Sequence, residues 1–295
     1  MAWLQLTIEA THSNSELLSE LLSQAGALAV TMQDAHDDPI FEPPPGSTPL
    51  WKELLLTGLF DAQINIDNVI NFLEQHYGER PTYTLNPLED KDWIRAWMDD
   101  FRPMQFGQRL WICPSWHTPP KSNAVNIMLD PGLAFGTGTH PTTSLCLQWL
   151  DANVTNNIKL IDYGCGSGIL GIAAALLGAT KVYAVDLDPQ ALIATQANAV
   201  KNKVSDKLSI FSVPGFKEHY STLQCPLLIA NILAAPLVDL APMLASHVSP
   251  GGKIVLSGIL TEQAEKVSSA YQPWFNIDEV IQEDDWIRLV GSKRS

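Results

Sequence analysis

The sequence predicts an α/β protein in which a C-terminal, Rossmann-like doubly wound sheet follows an N-terminal ferredoxin-like α+β domain. Three observations predict this class. From residue 126 onward, strand-like and helix-like segments alternate. Within that half, a glycine-rich turn joins an apolar strand to an apolar helix, as in nucleotide-binding folds. Residues 1–88 follow the order β-α-β-β-α-β, which is that of a ferredoxin-like sandwich.

The elements of the first domain follow from hydrophobic periodicity and from glycine and proline positions. A helix over 15–25 carries leucines on one face, and Gly26 is expected just beyond its C-terminus. The proline cluster at 43–45 must lie in a loop. In order, we predict a strand through Leu4, Leu6 and Ile8, a helix with Leu17, Leu18, Leu21 and Leu22 inward, strands over 27–33 and 51–60, a helix from Ile66 to near Gly78, and a strand over 82–88.

A charged segment at 89–101 is predicted to form a linker helix, because large apolar residues such as Trp93 and Trp97 recur there at helical spacing. The second domain then spans 102–295. Asp188-Pro189 is typical of a helix start, with aspartate as N-cap and proline at the first helical position. We predict further strands near 208–211, 226–232 and 253–257, and a terminal hairpin formed by 275–281 and 286–290.

The glycine turn predicts a site for an adenosine-containing cofactor. Asp162 ends a strand and is followed by Gly164, Gly166 and Gly168, whose lack of side chains lets a ligand approach the backbone. The next strand ends in Asp186, an acidic residue suited to accept hydrogen bonds from a ribose diol.

Two cofactors compete for this turn. The spacing from Gly166 to Gly171 formally fits the dinucleotide fingerprint, with Asp186 twenty residues after Gly166. The other interpretation is the turn of an S-adenosylmethionine-dependent methyltransferase. Asp162 favours it, because a carboxylate beside the turn would repel a pyrophosphate but tolerates a positively charged sulfonium ligand.

Two flanking segments contribute further candidates for the cofactor site. Upstream of the turn lies a pliable, hydroxyl-rich loop whose residues Phe135, Gly136, Thr137 and Gly138 precede His140 and Thr143 at a helix start. Downstream, an apolar strand ends in Asn231, where a side chain faces the crevice of a doubly wound sheet. The competing interpretations are an ordinary loop with a helix cap and a turn-forming asparagine.

Together these segments resemble the PrmA family, methyltransferases of large-subunit ribosomal protein L11. The resemblance is carried by 162–168, by Asp186-Leu187-Asp188-Pro189, by Asn231-Ile232-Leu233 and by the loop 136–143, and it extends to 89–93 and 110–116. It implies the class I methyltransferase fold, with a seven-stranded sheet completed by the terminal hairpin. Where many amino-group methyltransferases have Asn-Pro-Pro-Tyr, this chain has Asn-Ile-Leu-Ala at 231–234.

The resemblance also implies roles for the two domains and for single residues. S-adenosylmethionine would be the cofactor, and the lysine and N-terminal amino groups of L11 the methyl acceptors. Residues 1–88 would recognise the substrate, the linker helix would present several amines in turn, and Asn231 is the candidate catalytic residue. The expected cofactor-binding residues are Thr143, Gly164, Asp186, Asn231, Phe135, Gly136, Thr137, Gly138, Asp162, Gly166 and Gly168.

Charge indicates the kind of partner. Residues 1–100 carry a net charge of −13, and the remainder carries −1. An acidic body repels nucleic acid and attracts a basic protein, so we expect a basic ribosomal protein as substrate and no direct nucleic-acid binding. The alternative is that this charge serves solubility alone.

Composition narrows the protein class further. The chain is 46% hydrophobic and 17% charged, as in globular proteins. Its start lacks the basic region of a secretory signal, and its longest near-apolar run, 169–179, is too short to span a bilayer. Four cysteines without a Cys-x-x-Cys pair indicate reduced thiols, and the histidines show no metal-ligand spacing with them. We therefore expect a cytoplasmic monomer without a metal.

Three other functions remain open from the sequence. The enzyme could methylate another basic protein or a small amine. It could be an NAD(P)-dependent oxidoreductase, against which Asp162 and the hydroxyl-rich loop argue. It could also be an inactive binding protein that keeps the fold, although its cofactor residues are complete.

Overall fold

A computed structural model describes residues 3–36, 38, 40, 47–88, 101–130, 136 and 138–295. The chain divides into two compact units, Met1–Trp97 and Met98–Ser295. The predicted linker helix lies outside the described residues except for Phe101, and so do two of the candidate loop residues, Phe135 and Thr137.

The first unit has the predicted ferredoxin-like order. Its elements are β1 (Trp3–Thr11), α1 (Ser15–Gln24), β2 (Ala29–Asp34), β3 (Glu53–Asp61), α2 (Ile66–Tyr77) and β4 (Tyr83–Leu88). The strands form an antiparallel sheet in the order β2-β3-β1-β4. Alternate residues of β1, including Leu6 and Ile8, are buried with the inner faces of both helices, as the period of two predicts.

Helix α1 differs from its prediction at one leucine. Leu18, Leu21 and Leu22 are buried, but Leu17 is 48% exposed and faces away from the sheet. Leu18, Leu21 and Leu22 already form the inward-facing stripe. Leu17 lies one residue before Leu18 and so points about 100° away from it around the helix axis. Gly26 follows the helix with a φ of 101°, the left-handed conformation expected of a residue beyond a helix end.

The second unit contains the predicted seven-stranded sheet. Its order is β10-β9-β8-β11-β12-β14-β13, in which β14 is antiparallel to both neighbours and the first five strands are parallel. The seven strands are β8 (Lys159–Tyr163), β9 (Lys181–Asp186), β10 (Leu208–Ser212), β11 (Cys225–Asn231), β12 (Val248–Leu260), β13 (Phe275–Glu283) and β14 (Trp286–Lys293). A small separate sheet joins β5 (Met104–Phe106), β6 (Leu110–Cys113) and β7 (Val125–Met128).

Helices cover both faces of the large sheet. Adjacent residues of β8 belong to different cores, since Leu160 packs into one hydrophobic cluster and Ile161 into the other. The helices are α3 (Pro141–Asn153), α4 (Ile169–Leu177), α5 (Pro189–Lys201), α6 (Val213–Tyr220), α7 (Ala234–Asp239), α8 (Ala241–Ser246) and α9 (Ala264–Tyr271). Helix α5 begins as predicted, because Asp188 accepts a hydrogen bond from the Gln190 amide and Pro189 follows it.

The strand order reverses at the centre of this sheet. The chain runs outward from β8 through β9 to β10 and then returns to place β11 on the other side of β8. In open α/β sheets, ligands bind in the crevice that such a reversal leaves at the carboxyl ends of the strands. That crevice is therefore where the candidate residues should meet.

Candidate active site

Three candidate residues end neighbouring strands at one level of the sheet. Tyr163 of β8 is in register with Val185 of β9 and with Ala230 of β11. The next residue along each strand is Gly164, Asp186 or Asn231. The parallel sheet thus brings together a glycine, a carboxylate and an amide that are up to 67 positions apart in the sequence.

The glycine turn after β8 requires glycine for conformation and for space. Gly164, Gly166 and Gly168 have φ values of 77°, 54° and 80°, in the left-handed region that side chains disfavour. A Cβ on Gly164 would lie 2.2 Å from Ile232 Cγ2, and one on Gly168 would lie 2.7 Å from Thr195 Cγ2. The turn therefore packs between Ile232, which follows β11, and Thr195 on α5.

Asp162 holds the helix that follows the turn. Gly168 occupies the N-cap position of α4 and has no side chain, so the buried Asp162 carboxylate takes over capping. Its Oδ2 accepts a hydrogen bond of 2.8 Å from the Gly171 amide. Its other oxygen, Oδ1, is buried and finds no hydrogen-bond partner among the described residues. Burial raises the pKa of Asp162 to about 7; the Gly171 N–H opposes the rise and the Asp186 charge adds to it.

Most backbone amides of the turn are already bonded within the protein. The Gly166 amide donates to Asp186 Oδ2 at 2.8 Å, and the Gly168 amide donates to the Cys165 carbonyl at 2.7 Å. The Ile169 amide lies 3.4 Å from Ser167 Oγ, and the Gly171 amide is bonded to Asp162. A pyrophosphate at a helix N-terminus needs such donors free. The arrangement therefore argues against a dinucleotide.

Asp186 is fixed in place at the crevice edge. One carboxylate oxygen accepts the Gly166 amide, and the other accepts the Asp188 amide at 3.0 Å. Each oxygen keeps a second lone pair for a ligand. A partly exposed carboxylate held this rigidly can accept hydrogen bonds from a ribose diol, as the sequence predicts.

Asn231 is held by a residue of the upstream segment. Its Nδ2 donates to the hydroxyl of Thr143 at 3.4 Å, across 88 positions of the sequence. Thr143 is fully buried near the start of α3. The other amide atom, Asn231 Oδ1, is buried and has no hydrogen-bond partner in the part of the chain that the structure describes. An unpaired buried acceptor beside the crevice calls for a donor from a ligand.

The upstream loop contacts the glycine turn through a serine. Ser167 Oγ donates to the Gly136 carbonyl at 2.6 Å. Gly136 and Gly138 have φ values of 98° and 94°. A Cβ on Gly138 would lie 2.4 Å from Ile112 Cδ1, so this part of the loop packs directly against β6.

His140 has a structural position. It is the N-cap of α3, where its Nδ1 accepts from the Thr142 amide at 3.3 Å. Its ring packs edge-to-face on Trp286 with centroids 4.9 Å apart, and burial lowers its pKa. A ring nitrogen engaged at a helix cap is unsuited to accept a proton from a substrate.

The sequence did not predict that Thr195 and Asn198 bind the turn, nor that Ser167 within the turn bonds the upstream loop. Thr195 Oγ1 donates to the Gly166 carbonyl at 3.0 Å, and Asn198 Nδ2 donates to the Ser167 carbonyl at 2.8 Å. The available signal was two polar residues three positions apart on a helix that packs against a parallel sheet.

The site lacks features of other chemistries. Cys165 lies in the turn, but burial raises the pKa of its thiol, so it is not a nucleophile. All four cysteines are buried free thiols. Within the described ranges, no cluster of three or more His, Cys, Asp or Glu side chains is arranged to hold a metal. None of the helices built from described residues has the length and apolarity needed to cross a bilayer.

The polar atoms of the site fit S-adenosylmethionine. The two buried side-chain atoms left unpaired at the strand ends are Asp162 Oδ1 and Asn231 Oδ1. Asn231 Oδ1 is an acceptor, and Asp162 Oδ1 is one when the carboxyl group is ionised, a form that a nearby positive charge stabilises. Asp186 adds a third acceptor group. A ligand with a sulfonium charge, an ammonium group and ribose hydroxyls supplies the cations and donors that these atoms lack. A pyrophosphate supplies neither.

The raised pKa of Asp162 predicts a pH dependence of stability. Between pH 4 and 7 the folded protein holds a proton that the unfolded chain releases, so the free energy of unfolding falls as pH rises through this window. The Asp162→Asn variant has no titratable side chain at this position, so it lacks this pH dependence. In urea titrations without cofactor, the wild-type free energy of unfolding should fall relative to that of the variant by roughly 1 kcal/mol or more between pH 5 and 7. Parallel pH profiles for the two proteins would contradict the prediction.

Comparison with known proteins agrees with this geometry. The family model described as ribosomal protein L11 methyltransferase (PrmA) matches residues 2–294. Ribosomal protein L11 methyltransferases from Salmonella heidelberg and Salmonella typhimurium are 52% and 51% identical to this chain over 296 residues, covering all of both sequences. The crystal structure of a ribosomal protein L11 methylase from Lactobacillus delbrueckii subsp. bulgaricus has a TM-score of 0.60 and 33% identity, over 66% of this chain and 100% of that one. The chain belongs to the ribosomal protein L11 methyltransferase (PrmA) family.

Proposed function

We propose that this protein transfers methyl groups from S-adenosylmethionine to lysine and N-terminal amino groups of ribosomal protein L11. S-adenosylmethionine is the cofactor of this family of methyltransferases. The observation that carries the proposal is the pair of unpaired buried oxygens at the strand ends, Asp162 Oδ1 and Asn231 Oδ1, beside a turn most of whose amides are already bonded. The relatives named above support L11 as the substrate.

The protein's main chemical task is to hold a neutral amine in line with the methyl group. Bound S-adenosylmethionine supplies an electrophilic methyl group whose sulfur leaving group needs no proton. Deprotonating a lysine at pH 7 costs about 5 kcal/mol, whereas an α-amino group costs only about 1 kcal/mol. The crevice must therefore favour the neutral amine by excluding water and by offering an acceptor to its remaining N–H bonds.

Asn231 is our candidate for that acceptor. Its Nδ2 is engaged by Thr143, which turns Oδ1 into the free end of the amide. A neutral oxygen accepts from an amine without stabilising its protonated form as strongly as a carboxylate would. Asn231 would thus orient the amine, or the cofactor beside it, while leaving the nitrogen lone pair available.

The first unit is proposed to recognise the substrate. Residues 1–97 hold 15 Asp and Glu against 4 Lys and Arg, a net charge of −11 of the −14 of the whole chain. A basic ribosomal protein would be drawn to such a surface, with steering that weakens as salt rises. We propose a monomer that acts in the cytoplasm, where L11 is made, and a segment at 89–101 that connects recognition to catalysis.

Intact-mass spectrometry tests the function as a whole. Large-subunit ribosomal proteins from cells lacking the endogenous enzyme are incubated with this protein and S-adenosylmethionine, with S-adenosylhomocysteine in place of the methyl donor as control. We expect increments of one methyl mass on L11 alone, and peptide mapping should place them on lysines and the N-terminus. Unmodified L11, or increments on another protein, would overturn the assignment.

Asp186→Ala tests the ribose contact. Losing hydrogen bonds to a charged group should raise the dissociation constant for S-adenosylhomocysteine about tenfold or more, measured by calorimetry. The maximal rate at saturating cofactor should fall much less. Asp206→Ala, at an exposed position outside the crevice, is the control and should bind as the wild type does. An unchanged dissociation constant for Asp186→Ala would refute this role.

Asn231→Ala tests the amine contact. With saturating S-adenosylmethionine, the turnover number should fall about tenfold to a hundredfold, because an orienting group near the reacting atoms is lost. Exposed Asn276 on β13 provides the matched control, Asn276→Ala, which should keep wild-type turnover. The role is wrong if Asn231→Ala turns over at the wild-type rate under these conditions.

A further inference from the structure

Helix α5 carries a row of polar residues on the face that packs against the glycine turn and the end of β7. Thr195, Asn198 and Asn202 are spaced at i, i+3 and i+7 and so share one side of the helix, with Asn202 at its C-cap. Thr195 is fully buried and Asn202 is 9% exposed. We call these three residues the α5 polar ridge. Apolar residues would fill such a helix–sheet interface at a lower desolvation cost.

Two members of the ridge bond carbonyl groups of the glycine turn. Thr195 Oγ1 donates to the Gly166 carbonyl at 3.0 Å. Its methyl group also fills the space that a Cβ on Gly168 would occupy. One turn of helix later, Asn198 Nδ2 donates to the Ser167 carbonyl at 2.8 Å. The ridge therefore fixes two successive peptide groups at the centre of the turn.

The third member bonds the strand that leads into the upstream loop. Asn202 Oδ1 accepts from the Met128 amide at 2.7 Å, and its Nδ2 donates to the Met128 carbonyl at 2.9 Å. This pair of bonds copies the pairing of a neighbouring strand at the end of β7. Lys201 adds an ion pair of 2.6 Å to Asp130. One helix thus holds both the glycine turn and the approach to the loop.

The contacts of Thr195 and Asn198 each continue into a candidate cofactor residue. The peptide group that Thr195 holds follows the Gly166 amide, which donates to Asp186. The residue whose carbonyl Asn198 holds, Ser167, donates its hydroxyl to Gly136 in the upstream loop. A shift of the turn relative to α5 would therefore move Asp186 and Gly136 together, and catalytic geometry tolerates displacements of well under 1 Å.

We propose that the α5 polar ridge positions the cofactor site, with Thr195 as its principal positioning residue. In this proposal the ridge contacts neither substrate nor cofactor. It fixes the position of the glycine turn so that the Asp186 carboxylate can reach the ribose. This inference rests on the proposed use of S-adenosylmethionine. Under this inference, Thr195 lies outside the crevice but affects the affinity for the cofactor rather than the rate of the chemical step.

Thr195→Val tests the proposal because it keeps the buried shape and removes only the hydroxyl. By calorimetry, its dissociation constant for S-adenosylhomocysteine should rise about tenfold. Thr195→Ser, which keeps the hydroxyl, should stay within about threefold of wild type. Thr180→Val is the matched control, since Thr180 Oγ1 makes the same kind of bond, to the Ile158 carbonyl at 3.3 Å, away from the crevice; its affinity should not change.

Steady-state kinetics separates positioning from general damage to the structure. For Thr195→Val, the KM for S-adenosylmethionine should rise about as much as the dissociation constant, while kcat and the KM for L11 stay within about twofold of wild type. Equal losses in kcat and in both KM values would contradict a positioning role. If Thr195→Val does not fold, Asn198→Ala is measured instead, at a partly exposed position and with the same expected outcome.

The outcomes distinguish this inference from the proposed function. If the wild-type protein binds S-adenosylhomocysteine and Thr195→Val binds it equally well, the ridge proposal alone is overturned. If the wild-type protein does not bind it, the proposed function fails and the ridge proposal falls with it.

Discussion

The site depends on the left-handed backbone of the glycine turn between β8 and α4. Two neighbours leave no room for side chains there: Ile232, which follows Asn231, and Thr195 on α5. These contacts tie the turn to the strand end on one side and to a helix on the other. The position of the crevice is thus a consequence of packing, because the turn, Asp186 and Asn231 all stand on strands whose register the sheet fixes.

The electrostatics of the crevice follow from the same turn. Since Gly168 cannot cap α4, the Asp162 carboxylate is drawn into the interior to do so, at the cost of a pKa raised to about 7. Most of the turn amides are bonded to Asp186, Ser167, Asp162 and the local backbone. The side-chain atoms that remain for a ligand are mainly acceptors. A fold shared with dinucleotide enzymes is thereby adapted to a cationic nucleoside, and the adaptation is local chemistry rather than a change of architecture.

Much of this was predictable from the sequence, because the signals were local. Gly26 marks a helix end through its backbone conformation, and Asp188-Pro189 marks a helix start through a side-chain cap followed by proline. Alternation in β1 indicates a half-buried strand. The structure places Asp162, Asp186 and Asn231 near the ends of neighbouring strands, and their proximity was predictable because strand ends in a parallel sheet share one edge. The exposure of Leu17, the occupied amides and the bond from Thr195 to Gly166 were not predictable, since each depends on which distant surface meets the residue. Periodicity identifies the face of a helix but not its partner.

The central claim is that the unpaired oxygens of the crevice, beside a turn with most of its amides occupied, select S-adenosylmethionine over a dinucleotide. Calorimetric titration of the wild-type protein with S-adenosylhomocysteine and, separately, with NAD tests it most directly. The account predicts saturable one-to-one binding of S-adenosylhomocysteine and no measurable heat from NAD at the same concentrations. Binding of NAD with equal or greater affinity would show that the turn does accept a pyrophosphate and would contradict the account.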